Sequence, residues 1–132
     1  MSEKQTARWR YVLDAGALIA HEKGSAKVGA LLKVASRKQI QMVLPSAVLA
    51  QVWRDGSRQA VLSRMLRTPG IIAAPLHHED AKRVGELLRG SETSDIVDAH
   101  VAVLAERLQA TVITSDPDDI AKLNEDLPLI RV

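Results

Sequence analysis

The stretch Thr93–Ile120, TSDIVDAHVAVLAERLQATVITSDPDDI, carries five aspartates in two groups. Asp95 and Asp98 stand where a helix is predicted to begin. The second group follows a predicted strand and consists of Asp116, Asp118 and Asp119. In a protein built of helices and a parallel sheet, helix starts and strand ends lie at the same edge of the sheet. The stretch therefore predicts half of an acidic, metal-binding site.

The helix and the strand within this stretch are predicted from local patterns. After the first aspartates, four apolar residues recur at helical spacing, namely Ile96, Ala99, Val103 and Leu104. One face of the helix is therefore expected to be buried. Thr93 or Ser94 is predicted to cap the helix, because either hydroxyl can accept a hydrogen bond from a free backbone N–H. Residues 111–114 are rich in β-branched side chains, which is typical of a buried strand.

Strands and helices are predicted to alternate along the rest of the chain. Further strands are expected over residues 9–13, 41–44, 71–74 and 129–132, and helical segments over residues 15–20, 28–35, 46–54, 57–67 and 79–89. Ser46 is the expected cap of the helix that follows the second strand. This alternation predicts right-handed βαβ units, and so a three-layer αβα domain of the α/β class with a parallel sheet. With no linker or repeat, residues 1–132 are expected to form one domain.

Composition narrows the class of protein. Hydrophobic residues make up 46% of the chain and phenylalanine is absent, so the core must be mainly aliphatic. Cysteine is also absent, which excludes disulfides and thiolate metal sites and fits a reducing compartment. No apolar run is long enough to span a bilayer. A cytoplasmic protein without membrane association is the expectation.

Acidic and basic residues are segregated along the chain, although the formal net charge is only +2. Aspartates concentrate in the C-terminal third, whereas four arginines cluster in the middle of the chain: Arg54, Arg58, Arg64 and Arg67. A basic rim beside an acidic pocket suits a polyanionic substrate. Because few aromatic residues are available for stacking on bases, a nucleic-acid substrate would be bound through its phosphates by these arginines. The alternative is that the arginines form an ordinary solvated helix face.

Asp14 joins the aspartates of the central stretch as a candidate for the same site. It follows the first predicted strand, as Asp116 follows the fourth, and Asp98 lies at a helix start that can reach the same edge. Two carboxylates ~5 Å apart repel by roughly 3 kcal/mol at an effective dielectric of 20, so convergence calls for a cation. Oxygen ligands favour Mg²⁺ or Mn²⁺, and such a site is suited to phosphodiester hydrolysis. The alternative is that each aspartate is only a helix cap, a helix-start charge or a turn residue.

Four short motifs, in this order, resemble the PIN-domain family, and more closely its VapC-type toxins from toxin–antitoxin pairs. They are VLDAGALIA at residues 12–20, LPSAVLAQVW at 44–53, DAHVA at 98–102 and VITSD at 112–116. The resemblance covers nearly the whole chain. It implies a PIN-like domain with a five-stranded parallel sheet. It also implies a Mg²⁺- or Mn²⁺-dependent endoribonuclease with an RNA substrate, a cognate antitoxin and a homodimeric state.

The resemblance also assigns roles to individual residues. Three aspartates are expected to be the catalytic, metal-binding carboxylates: Asp14, Asp98 and Asp116. Asp95 and Asp119 are expected to supplement them at the metal, and Thr114 or Ser115 to form hydrogen bonds with the acidic cluster.

The chain departs from the family pattern at Gln51, where a glutamate is usual. An amide oxygen can still bind a cation or a water molecule, but it brings no charge and is a poor base. A second hypothesis is therefore a PIN-like module with weakened chemistry that binds RNA or an antitoxin without efficient cleavage. A receiver-like signalling domain is a third. It requires an acidic pair after the first strand and a phospho-acceptor Asp after the third, whereas Ala15 follows Asp14 and Pro75 follows residues 71–74.

Overall fold

A computed structural model describes residues 10–57, 59–91, 93 and 95–132. Within these ranges, strands and helices alternate along the chain. The strands are β1 (Arg10–Leu13), β2 (Gln41–Pro45), β3 (Ile71–Ala74), β4 (Thr111–Thr114) and β5 (Leu129–Arg131). The helices are α1 (Ala15–Glu22), α2 (Ala26–Lys38), α3 (Ser46–Val52), α4 (Ala60–Leu66), α5 (His78–Arg89), α6 (Ile96–Leu108) and α7 (Pro117–Leu123). Three residues named in the sequence predictions lie outside the described residues: Trp9, Arg58 and Ser94.

All five strands are parallel and lie in the order β3-β2-β1-β4-β5. This confirms the predicted three-layer αβα fold with a five-stranded parallel sheet. The chain winds outward from β1 to β3 and then returns to place β4 on the other side of β1. The direction of winding therefore reverses between β1 and β4. In sheets of this kind, ligands bind at such a switch point, beyond the carboxyl ends of the strands.

The core is aliphatic, because the central strands are buried on both faces. Val12 and Leu13 of β1 and Val112 and Ile113 of β4 have no exposed surface. Helix α6 has seven consecutive buried residues, Ala99–Ala105, because it packs against the sheet on one side and against α5 and α7 on the other. The start of α6 is thereby held at the carboxyl edge of the sheet. No helix in the described part of the chain is long and apolar enough to cross a membrane.

Helix α5 runs antiparallel to α6 and is held by a partly buried ion pair. Arg107, near the end of α6, contacts Asp80, near the start of α5, with 3.1 Å between Nη2 and Oδ2. Asp80 is 7% exposed, so its charge is stabilised chiefly by this partner. Because the two helices are antiparallel, α5 ends near the start of α6.

Two predicted helix caps are wrong. The cap of α6 is Asp95, whose Oδ1 accepts the Asp98 backbone N–H at 3.0 Å. Thr93 does not bond to the helix itself. Its Oγ1 accepts the backbone N–H of the cap residue Asp95, at 3.1 Å. Ser46 is the first residue of α3 rather than its cap, because β2 continues through Pro45, which occupies the cap position without a side-chain hydrogen bond. Helix α4 also begins later than predicted, since Asp55 holds the Ser57 N–H in a turn at 3.0 Å.

Candidate functional site

Asp14 lies at the switch point between β1 and β4. Its backbone N–H donates to the Ile113 carbonyl at 3.1 Å, which extends the pairing of the two strands by one residue. Its carboxylate caps α1, since Oδ1 accepts the Ala17 N–H at 2.7 Å. Asp14 is only 4% exposed. Burial raises its pKa, and the nearby Asp116 charge adds to this, although hydrogen bonds from Thr114, Ala17 and Ser115 act in the opposite direction.

Thr114 joins the two strand ends that carry acids. It is fully buried, and its hydroxyl forms a hydrogen bond with the Asp14 carboxylate. The same oxygen accepts the Asp116 backbone N–H at 2.8 Å. One hydroxyl therefore fixes both the carboxylate of Asp14 and the turn in which Asp116 lies.

Helix α6 brings Asp98 to the same edge. Burial raises the pKa of this half-buried carboxyl to about 7, with further contributions from the charges of Asp95, Asp14 and Asp119. These neighbours come from three different elements: the cap of α6, the end of β1 and helix α7. The carboxylates therefore lie close enough to interact electrostatically, although they are far apart in the sequence.

Asp116 forms the exposed side of the cluster. A hydrogen bond with Asp119 raises its pKa, and the charges of Asp119 and Asp118 act in the same direction. Five predicted metal-site residues thus form one network of interacting carboxylates: Asp14, Asp95, Asp98, Asp116 and Asp119.

The other predicted site residues lie at several places. Gln51 is exposed on α3, which packs between α1 and α6. The Arg54 guanidinium donates to the Ala50 and Trp53 carbonyls, at 3.1 and 2.6 Å. Arg64 and Arg67 lie at the end of α4, where the chain turns into the start of β3. These two arginines are therefore at the opposite end of the strands from the aspartates.

A family model of the PIN domain matches residues 11–125. The chain belongs to the PIN-domain family. The match spans β1 to α7 and so includes every aspartate of the network.

Solved structures of PIN-domain toxins share this fold. The chain is similar to VapBC2 from Rickettsia felis bound to a DNA fragment from their promoter, with a TM-score of 0.74 at 19% identity over 93% of this chain and 98% of that chain. It is similar to VapC20 from Mycobacterium tuberculosis, a Sarcin-Ricin loop cleaving toxin, with a TM-score of 0.60 at 18% identity over 77% and 86%. For FitAcB from Neisseria gonorrhoeae, the TM-score is 0.61 at 18% identity over 92% and 96%. No curated protein sequence matches the chain significantly.

The described residues of this PIN domain include no group of three or more His, Asp or Glu side chains already arranged to hold a metal ion. The donor set nevertheless suits Mg²⁺ or Mn²⁺, because both prefer carboxylate oxygens. The charges that raise the Asp98 pKa are also those that a divalent cation would offset. The described residues therefore offer oxygen donors of the kind that such a cation prefers, but no closed coordination shell.

Gly16 is a site residue that sequence reasoning missed. A Cβ at this position would overlap the Ser115 hydroxyl and lie 3.0 Å from the Ser115 Cβ. The first turn of α1 therefore approaches the exit of β4 more closely than any other residue type permits. The only signal was a glycine two residues after Asp14, and no local pattern shows what it will contact.

His100 belongs to the core rather than to the acidic cluster. It is fully buried on α6, and neither ring nitrogen has a hydrogen-bond partner. Burial lowers its pKa, so the ring is neutral at pH 7.

Replacing Gly16 by alanine is expected to push the exit of β4 away from α1 and to lower the stability of the domain by about 1–3 kcal/mol. The Ser115 hydroxyl can rotate away, but its Cβ cannot. Gly29→Ala is the matched control, because nothing lies within 4 Å of a Cβ there. In the interior of α2 this control should raise stability by about 0.5–1 kcal/mol. Urea denaturation of both variants checks the prediction. A Gly16→Ala protein as stable as the wild type would contradict it.

Asp98→Asn is expected to raise the melting temperature of the metal-free protein at pH 8. The folded-state pKa of about 7 exceeds the unfolded value of about 3.9. The folded state therefore binds the proton more tightly, and stability is lost as pH rises from about 4 to about 7. Asparagine cannot ionise and avoids this loss. Thermal scans from pH 4 to pH 8 should show the advantage growing with pH. A constant difference between the two proteins would show that the Asp98 pKa is ordinary.

Proposed function

We propose that this PIN domain is a divalent-metal-dependent endoribonuclease that acts as the toxin of a toxin–antitoxin pair. The observation that carries the proposal is the network of five carboxylates at the switch point of the sheet. Asp98 interacts with the charges of Asp95 at the cap of its own helix, Asp14 at the end of β1 and Asp119 on α7. Asp14 and Asp95 are helix caps, but capping alone does not require these acids to converge with Asp98 and Asp119. Membership of the PIN-domain family supports the same conclusion, since PIN domains are typically nucleases.

Asp14, Asp98 and Asp116 would hold the cation, with Asp95 and Asp119 beside them. A bound Mg²⁺ or Mn²⁺ would lower the pKa of a water nucleophile and offset charge on the phosphate. Thr114 orients Asp14 and fixes the backbone of Asp116. Because Asp116 is exposed, the phosphate would approach from its side of the cluster.

Purified protein is expected to cleave RNA in Mn²⁺ and to lose this activity in excess chelator. Asp14→Asn and Asp98→Asn should each lower kcat by at least about 100-fold, because each removes a charge that holds the metal. Asp126→Asn is the matched control, since Asp126 is exposed in the turn after α7, away from the carboxylate network. Cleavage rates on a labelled RNA measure all three variants. Cleavage that survives the chelator would rule out the metal-dependent mechanism.

A groove of about 840 Å³ is the proposed docking site for the antitoxin. It lies between α2, α4 and the start of β3, and its apolar surface includes Leu32, Ile40 and Met65. Its charged or titratable residues are His21, Lys33 and Arg64, and none of the described residues that line it is acidic. A helix with an apolar face and flanking acidic residues would fit this surface. The partner is inferred from related structures such as VapBC2, which contain two components.

Lys33→Glu should weaken the antitoxin complex, because it places a negative charge where an acidic partner would dock. Lys27→Glu is the control, since Lys27 is on the same helix but outside the groove. The antitoxin is identified beforehand as the protein that inhibits RNA cleavage by this chain. The dissociation constant of its complex with each variant is then measured. Equal affinity of the two variants would place the antitoxin elsewhere.

Gln51 favours a second candidate function, a PIN domain with weakened catalysis that binds RNA or an antitoxin. The described residues contain no ready-made metal group, and the side chain on α3 that would complete one is an uncharged amide. Under this alternative, the carboxylate network binds a cation only weakly, and the fold serves mainly for recognition.

Gln51→Glu distinguishes the two candidates. If the natural site is weakened, the added carboxylate should tighten Mn²⁺ binding and raise the cleavage rate by about tenfold or more. If the aspartates suffice, neither quantity should rise. Calorimetric titration of Mn²⁺ and the cleavage rate are measured on the same preparations, with Gln41→Glu, at the start of β2, as the control.

A further inference from the structure

Arg131 lies in the same row of the sheet as two residues of the acidic site. It is the register partner of Thr114 across β4 and β5, and the following N–H, of Val132, donates to the Thr114 carbonyl at 2.9 Å. Register partners in neighbouring strands project from the same face of a sheet. Asp14 flanks Thr114 on the other side, through its N–H bond to Ile113. Asp14, Thr114 and Arg131 therefore follow one another across β1, β4 and β5.

The Arg131 side chain is exposed, and no described acidic residue forms an ion pair with it. The salt bridges recorded among the described residues involve other cations, namely Arg83, Arg107 and Lys122. Arg131 thus lies at the same edge of the sheet as the acidic cluster and forms no salt bridge with its described members. At about 4.8 Å per strand spacing, its Cα is roughly 10 Å from that of Asp14, with Thr114 of β4 between them. A ligand in contact with both Arg131 and the acids would therefore lie beyond the strand ends.

The arginines that the sequence pattern favoured for RNA binding are less suited than Arg131 to bind RNA at the carboxyl edge of the sheet. Arg54 uses its guanidinium to cap the end of α3. Arg64 and Arg67 lie where α4 leads into the start of β3, at the opposite end of the strands. Arg131, at the end of β5, is at the same end as the aspartates.

We propose that Arg131 binds an RNA phosphate adjacent to the one cleaved. This role rests on the proposed ribonuclease function and adds a substrate-binding residue to it. A guanidinium is always charged and offers a planar pair of donors that matches two phosphate oxygens. Held one strand beyond Thr114, it would fix the RNA backbone on the exposed side of the acids, where Asp116 lies.

The test measures binding and cleavage separately. Binding of a fluorescent 12-nucleotide single-stranded RNA is titrated at several salt concentrations. The Asp98→Asn protein is used, because its slow cleavage leaves the RNA intact during the titration. Arg131→Gln should weaken binding by about fivefold, the effect expected of one exposed charge pair. It should also reduce the slope of log K against log salt by about 0.7, the contribution of one single-strand phosphate contact. In the protein with Asp98 intact, the same change should raise KM and leave kcat within about twofold.

Two comparison variants isolate the charge of Arg131. Arg131→Lys keeps the charge and should retain more affinity than Arg131→Gln. Arg37→Gln removes an exposed arginine from the last turn of α2, at the opposite edge, and should leave affinity unchanged. Melting temperatures show whether each variant is folded.

The inference is overturned if Arg131→Gln leaves both affinity and salt slope unchanged. It is also overturned if Arg131→Lys loses as much as Arg131→Gln, or if Arg37→Gln has an equal effect. A wild-type protein that cleaves RNA in Mn²⁺ while Arg131→Gln binds normally removes only this inference. A wild-type protein that neither binds nor cleaves RNA removes the proposed function as well.

Discussion

The repulsion among carboxylates at the switch point is the constraint on which the rest of the site depends. Asp14 is almost fully buried, and its pKa is raised by that burial and by Asp116. Repulsion between like charges at short range opposes folding, and burial of one partner strengthens it. The chain tolerates this because donors are built around Asp14. The Ala17 and Ser115 N–H groups and the Thr114 hydroxyl all bond to its carboxylate.

These donors divide the site into a fixed side and an open side. Asp14 and Thr114 are held by backbone groups at the ends of two central strands, which are the most buried part of the domain. Asp98 is held by the long buried face of α6. Asp116 and Asp118 are exposed in the turn after β4, so they are free to adjust. A cation bound here, as proposed above, would require movement chiefly on the open side.

Structural features that follow from a repeating pattern in the sequence were predicted, whereas features that depend on a single tertiary contact were not. Period and composition sufficed for the five strands, because buried parallel strands are continuous apolar runs. The rule that ligands gather at strand ends was enough to group Asp14 with Asp116. The approach of Gly16 to Ser115 could not be predicted, since the two residues meet only when α1 and β4 pack. The cap of α6 was misplaced for a related reason, because three neighbouring residues could each accept the N–H.

The linear sequence also did not predict which arginines lie at the acidic edge of the sheet. Arg54, Arg64 and Arg67 are close in the chain, but α4 carries the last two to the start of β3. Proximity in sequence is a poor guide to proximity in space when a helix intervenes, whereas strand register is a good one. Arg131 escaped notice because it is isolated in the sequence. Register alone, through its pairing with Thr114, reveals that it belongs to the acidic edge.

The amide at Gln51 is consistent with the same electrostatic constraint. Asp98 already interacts with the charges of Asp95, Asp14 and Asp119, so another carboxylate on α3 would add repulsion in the metal-free protein. Asp95 supplies an acid at lower cost, because as the cap of α6 it accepts the Asp98 N–H and lies at the positive end of a helix dipole. As the cap of α6, Asp95 places an acid beside Asp98 without a carboxylate at position 51, which suits the proposed cation. The number of carboxylates in such a site is therefore limited by the stability of the metal-free state as well as by the needs of the metal.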